Sequence, residues 1–330
     1  MADNLKRIFG DILKGMSPFY FKPIDKEIYI RHATPIDNCD IDNVYNGFFE
    51  KAVSKKLPTE KFKLEYLDKK GLWTTKQQKE LDELARFVAT LRVTKTKMTI
   101  PSQREAVEAQ IIEQSKKVQK LESEKDELVG LTAELYATKQ MNEYYLRNST
   151  FKDKKATELL YNNEEYDDLD GELTLALVTI YNEFNELFCQ RNIKKVALIP
   201  LFLNSFYLCQ DNPYIYYGKP VVDLTIFQAD LFGFGRLFKN IISENHDKIP
   251  EIYLGDPDKL LDWHESTRNA EKIMEKQPTE GVAVSLVGAS KADYEKLGMG
   301  NELKQSNQLF EKAKQKGGKL SMKDLIAMQG

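Results

Sequence analysis

Glu164, Glu165, Asp167, Asp168 and Asp170 place five carboxylates within seven residues, just ahead of Gly171. Clustered carboxylates could hold a calcium ion. An EF-hand loop takes oxygen ligands at positions 1, 3, 5 and 12 with glycine at 6. Setting Gly171 at position 6 puts Tyr166 at position 1 and Leu177 at position 12. Both end ligands are missing, so the run reads as a solvated loop leading into a helix. Asp256 and Asp258 could be paired acids, but Asp256 stands before Pro257 as an N-cap before a first-turn proline. His264 and Asp262 lie two apart, and on a helix such residues point away from each other. His264 therefore reads as a packing residue. Gly233-Phe234-Gly235 sits in an apolar helical stretch with no strand before it, so it is no phosphate loop. Cys189 and Cys209 lie among apolar residues and read as small hydrophobes. The sequence thus points to no catalytic residue, no metal site and no cofactor.

What remains is aromatic. Between about Tyr181 and Trp263 the chain is dense in large rings, and most of them must form an ordinary core. Tyr214, Tyr216 and Tyr217 fit that core poorly, because Pro213 and Gly218-Lys219-Pro220 bound them as a loop. Tyrosines on loops are frequent partner anchors, since they bury area at small entropic cost. A protein rich in such residues and poor in catalytic ones reads as a binder of other proteins. An enzyme that uses only carboxylates and lysines would escape that inference.

The bulk numbers agree with a protein-binding class. The chain has 330 residues, 42% hydrophobic and 30% charged, with a net charge of −3, so it lacks the basic footprint of a nucleic-acid binder. Three scattered cysteines form no disulfide framework and suit a reducing compartment. No apolar run is long enough to span a membrane. Leu5 to Met16 is too short and too charged for a secretory signal.

Mainly helical elements must position these residues. Leu5, Ile8, Phe9, Ile12 and Leu13 have helical spacing, and residues 19–32 then form a small β-hairpin with Ile28 and Ile30 on one face. Pro58 is a first-turn proline for a helix carrying Phe62 and Leu67. Thr74 with Gln77, and Ser102 with Glu105, have capping-box spacing. Residues 101–130 read as a protruding charged arm with a seam of Val107, Ile111, Val118, Leu121 and Leu128, polar at Gln114 and Lys125. An intramolecular helical hairpin is favoured over an intermolecular coiled coil. Gly130 marks the return to the body. A buried helix starts at Pro200 or Leu201, and a second runs from Val221 to Ile242, weakened by Gly233 and Gly235. The expected fold is a mainly α multi-helix bundle, with body 1–276 and a flexible tail 277–330 bearing short helices. Within that tail Leu325, Ile326 and Met328 line one face of a possible docking helix, the other reading being an unstructured end.

The FYFK and IYIRH hairpin strings, GLWT at 71–74, LTAELYA at 131–137, YGKP at 217–220, LTIFQADLFGFGRLFK at 224–239 and DPDKLLDW at 256–263 together resemble a known group. They resemble the tail-assembly chaperones, including baseplate-hub assembly chaperones, of T4-like tailed bacteriophages, over about residues 17–264. The resemblance implies a non-enzymatic protein of the host cytoplasm. It would bind a tape-measure or baseplate-hub protein, and would be absent from the finished particle. It carries over no catalytic residues. A permanent structural component of the virion is the alternative, and the client, oligomeric state and any frameshifted extension stay open.

Overall fold

The structure is a computed structural model that describes residues 2–275 and 289–297. The chain divides into two compact units, Met1–Asp82 with Gln119–Ser243 and Glu83–Val118 with Glu244–Gly330. The fold is mainly α, as the periodicity predicts.

In the first unit α1 (Ala2–Lys14) buries Ile8, Phe9 and Ile12. Gly15, at φ +72°, ends the helix and turns the chain into β1 (Met16–Phe21). A 3-10 turn at Lys22–Ile24 leads to β2 (Lys26–Arg31), antiparallel to β1 with Phe19 opposite Ile28. Ile28 and Ile30 are buried as expected, but Tyr29 is buried too. The reason is a third strand absent from the sequence reading. Later in the chain, β3 (Thr150–Phe151) pairs with β2 and sets Phe151 opposite Tyr29. β1 is left as an edge strand, where Pro18 is tolerated.

Next come α2 (Pro35–Cys39), α3 (Ile41–Ser54) and α4 (Glu60–Lys70). Thr59 caps α4 by accepting from Phe62 N, so Pro58 lies outside the helix rather than in its first turn. Pro58 instead offers its carbonyl to Ala133 N, at the start of α7 (Ala133–Ser149), which packs along α3.

α5 (Thr75–Lys97) opens with the expected box: Thr74 N donates to Gln77 Oε1 at 2.9 Å and Gln77 N to Thr74 Oγ1 at 3.3 Å. α6 (Pro101–Val129) is one unbroken helix, and Gly130 at φ +62° follows it. Its buried seam departs from the heptad reading at the end. Leu128 is 40% exposed, whereas Val129 is 5% exposed. At about 100° per residue, position 129 lies five whole turns from buried Ile111, while a strict heptad drifts by about 20° every seven residues.

The first unit then continues through α8 (Asn163–Asp167), α9 (Gly171–Leu187), α10 (Gln190–Val196), α11 (Pro200–Leu208), α12 (Pro213–Tyr217) and α13 (Ile226–Glu244). Two of the five carboxylates that invited a calcium reading serve as caps. Glu165 forms a capping box with Asn162, and Asp170 accepts from Leu173 N at 2.8 Å. α13 starts later than expected, because Val221–Asp223 is a separate 3-10 turn and Thr225 with Gln228 forms the capping box. Cys189 is exposed at the N-cap of α10 rather than packed, whereas Cys209 is buried.

In the second unit α14 (Pro257–Glu275) begins under Asp256, whose carboxylate accepts from Asp258 N and Lys259 N. α15 (Lys291–Lys296) lies in the stretch read as tail, yet Asp293 and Leu297 are buried. Asp293 accepts from Ser290 N and Oγ on its own helix, and from Ser102 N and Oγ at the start of α6. Ser102 is therefore not a cap residue. Pro101 takes the first helical position and moves the helix start upstream of it, and the capping carboxylate comes from 191 residues away.

Candidate partner-binding surface

Ile199 is held extended (φ −70°, ψ 141°) by the proline that follows, so α11 begins at Pro200 as predicted. Its nine residues present two apolar faces. Phe202 and Phe206 point inward and are fully buried, stacked with centroids 5.3 Å apart; Phe9 of α1 meets Phe202 edge-on at 5.8 Å. Gly235 of α13 is what lets these rings in. A Cβ there would stand 2.6 Å from Phe202 Cζ and 3.0 Å from Phe206 Cε2, closer than packed atoms approach. Gly233 has nothing within 4 Å of the equivalent point, so only one of the two glycines is a packing requirement.

The outward face of α11 carries Leu201, Ser205 and Leu208, spaced four and three apart. Leu208 is 81% exposed. Gln210 and Asp211 both adopt left-handed backbone (φ 52° and 58°), a conformation that costs about 1 kcal/mol or more per residue outside glycine. Lys239 of α13 holds this bend by donating to both Asp211 carboxylate oxygens at 3.0 Å.

The tyrosine segment is a helix, not a loop. Asn212 caps α12 by accepting from Tyr214 N at 2.9 Å, Pro213 fills the first turn, and Gly218 at φ +70° ends it. Two of the three rings do pack into the core, contrary to the loop reading, and only Tyr214 stays largely exposed. Tyr217 donates to the Gln228 carbonyl at 2.9 Å, and burial pushes its hydroxyl well above the ordinary tyrosine range. Tyr216 packs on Phe202 and Phe206, with its hydroxyl 3.1 Å from Ser205 Oγ; burial raises its pKa to about 12, a rise that the Ser205 bond opposes. Tyr214 is 60% exposed. Of the other candidates, Leu325, Ile326 and Met328 lie outside the described residues.

The C-terminal end of α1 completes the surface. Gln228, wholly buried, donates to Ile12 O at 2.8 Å and Leu13 O at 3.1 Å, tying α13 to α1. The result is a groove of about 420 Å³ walled by Phe9 and Leu13, by Leu201, Ser205 and Leu208, and by Ile215 and Tyr216, with Cys209 at its base. Its two hydroxyls are bonded to each other. Such a groove can desolvate apolar side chains. Of the three tyrosines the sequence singles out, only Tyr216 lines this groove, and Leu13, Leu201 and Leu208 were not singled out as site residues. For Leu201 and Leu208 the signal is the 4-3 spacing, through Ser205, on the face of α11 next to Phe202 and Phe206.

The other polar centres are structural. His32 is fully buried against Phe184, Phe188 and Phe227, its Nε2 bonded to Ser17 Oγ at 2.8 Å; burial, then Lys219, lowers its pKa to about 3. In the second unit Arg104, 4% exposed, donates to Asp262, Glu265 and the carbonyls of Lys95 and Met98. Among the described residues no group of three His, Cys, Asp or Glu could hold a metal ion, and no helix is long and apolar enough to cross a membrane. No protein-family model, curated protein or solved structure matches the chain.

Proposed function

We propose that this protein is a non-enzymatic assembly chaperone of a tailed bacteriophage, working in the host cytoplasm by shielding an apolar helix of a tape-measure or baseplate-hub protein. The observation that carries the binding reading is the groove itself. Leu13, Leu201, Leu208 and Ile215 are all exposed around one concavity, and Tyr214, 60% exposed, precedes Ile215 on α12. Apolar residues scattered singly over a surface need no explanation, but a cluster marks an interaction site. The phage assignment is supported by the sequence resemblance.

The magnitudes suit a temporary complex. Burying an aliphatic side chain contributes about 1.5–3 kcal/mol. Association costs about 4–15 kcal/mol. Four partly exposed aliphatic anchors do little more than offset that cost, so net affinity depends on adding Tyr214. A client released on assembly calls for such a balance.

The test is recovery of the protein from infected cells and protein analysis of purified virions. The proposal expects it bound to a tape-measure or hub protein before assembly and missing from the particle. A fixed number of copies per virion would assign it to the permanent structure instead.

A further inference from the structure

The first unit contains a second concavity that shares no residue with the groove. It encloses about 300 Å³ and is walled by Tyr144 and Tyr145 of α7, Tyr181 and Phe184 of α9, and Phe227 of α13. The rings meet at different angles. Tyr144 and Tyr145 are perpendicular at 5.6 Å, Tyr181 stacks on Phe184 at 5.8 Å, and Phe184 meets Phe227 at 5.8 Å. Arg147 already stands over the Tyr144 ring at 5.7 Å, Phe184 is buried among Tyr181, Phe188, Phe227 and His32, and Phe227 has one face stacked on Phe188, so the rings left to a ligand are Tyr145, Tyr181 and the remaining face of Phe227.

Arg31, Asp37 and Asp40 supply the charge at its rim. Arg31 is spent on Asp37, donating through both terminal nitrogens at 3.0 and 3.1 Å. Asp37 also accepts from Thr34 N and Oγ1, and despite burial these bonds hold it below the usual carboxylate range. Asp40 is different. It occupies the N-cap position of α3, where an aspartate ordinarily accepts from the backbone. Here α2 runs directly into it and leaves it at φ −94°, ψ −4°, and its side chain makes no cap bond. Tyr145 donates to the Asp37 carbonyl at 3.2 Å, fixing one wall to the same segment. Once Arg31 and Asp37 cancel, one carboxylate is left over beside several ring faces. Aromatic faces carry negative potential and, like a carboxylate, attract cations.

We propose that this cavity binds an organic cation, the guanidinium or ammonium group of an arginine or lysine side chain or of a free polyamine. An anion would meet both the Asp40 carboxylate and the ring faces. A neutral ligand would leave Asp40 without a counter-charge. The inference does not depend on the groove or on the phage assignment.

The test titrates the full-length protein, labelled in its tyrosine rings, with N-acetyl-arginine amide and with its uncharged isostere N-acetyl-citrulline amide, read by NMR. Saturable shifts of the Tyr145 and Tyr181 signals are expected with the arginine compound, and at least tenfold weaker binding with citrulline. Asp40→Asn should weaken the arginine compound at least fivefold with an unchanged melting temperature, because Asp40 is exposed and caps nothing. Tyr181→Phe should retain binding, because the ring remains. A helical peptide with one central arginine and free spermidine then separate the two sources, the tighter binder naming the natural one. Equal binding of citrulline, no saturable shift, or an Asp40→Asn protein that binds as wild type would each overturn the proposal.

Discussion

In the first unit the interior is built from rings. Phe21, Phe202, Phe206 and Phe238 are all fully buried, and Gly235 is present so that two of them can close on α13. The second unit buries Leu260 and Trp263 but sets a guanidinium among them. Arg104 binds two carboxylates and two carbonyls, while Lys95 pairs with Asp262 at 2.7 Å and Glu108 at 3.0 Å. Packing of the first kind is insensitive to salt and intolerant of added volume. Pairing of the second kind responds to charge and tolerates shape. The first unit also holds more apolar side chain on α11 than its core can take, and that excess forms the groove.

The largest effect expected is a pH dependence seated in the ring-lined core. His32 has a folded pKa of about 3 and an ordinary one of 6.5, so the unfolded chain binds its proton first. Stability from this group is complete above pH 6.5 and is lost as pH falls toward 3, with a slope approaching about 1.4 kcal/mol per pH unit. Asp11 works in the opposite sense: burial raises its pKa, so it adds stability as pH falls. Urea unfolding between pH 7.5 and 4.5 should show the loss, and His32→Gln should flatten it. An unchanged slope in the variant would place the pH response elsewhere.

Arg104→Met comes next. It removes a donor from two carbonyls and two carboxylates in the second unit, though Asp262 keeps Lys95. The carboxylates are about half exposed and can hydrate, so we expect a loss of about 2 kcal/mol, below the 3–5 of a fully buried pair. Raising salt should narrow the difference from wild type, whereas the glycine variants below should be insensitive to it.

The two glycines of α13 sharpen the contrast further. Gly235→Ala should destabilise by about 1–2 kcal/mol through overpacking against Phe202, in spite of a better helix propensity. Gly233→Ala meets nothing within 4 Å and should stabilise by about 0.5–1 kcal/mol. The same sign for both in thermal melts would show that α13 packs otherwise. Asp293→Ala should cost about 1 kcal/mol, the size of a lost cap, though it removes the acceptor for two helix starts.

Local signals were well legible in the sequence. The Thr74–Gln77 box, the N-cap at Asp256 and the start at Pro200 each depend on residues within four positions of one another. What failed depends on distance. Ser102 has the spacing of a cap, but its partner Asp293 is far along the chain. Pro213 and Gly218 were read correctly as boundaries, yet proline at a first turn and glycine after a last turn bound a short helix as well as a loop. Gly235 looked like a weak point in a helix because only the fold brings Phe202 to it. Arg104 left a usable trace: it stands on the α6 seam three residues before Val107, and a cation on an apolar seam implies a buried partner.

The central claim is that the excess apolar surface on α11 and α12 is there for a partner. It is tested most directly by Leu208→Asp combined with Tyr214→Ala, two exposed changes that touch neither Phe202 nor Phe206. The affinity for the tape-measure or hub protein and the melting temperature are measured together. Surface changes away from the core shift stability by about 0.5 kcal/mol or less, whereas loss of an interface hot spot costs about 2 kcal/mol or more. The account predicts a fall in affinity of at least about thirtyfold with nearly unchanged melting. Full affinity in the double variant would contradict it.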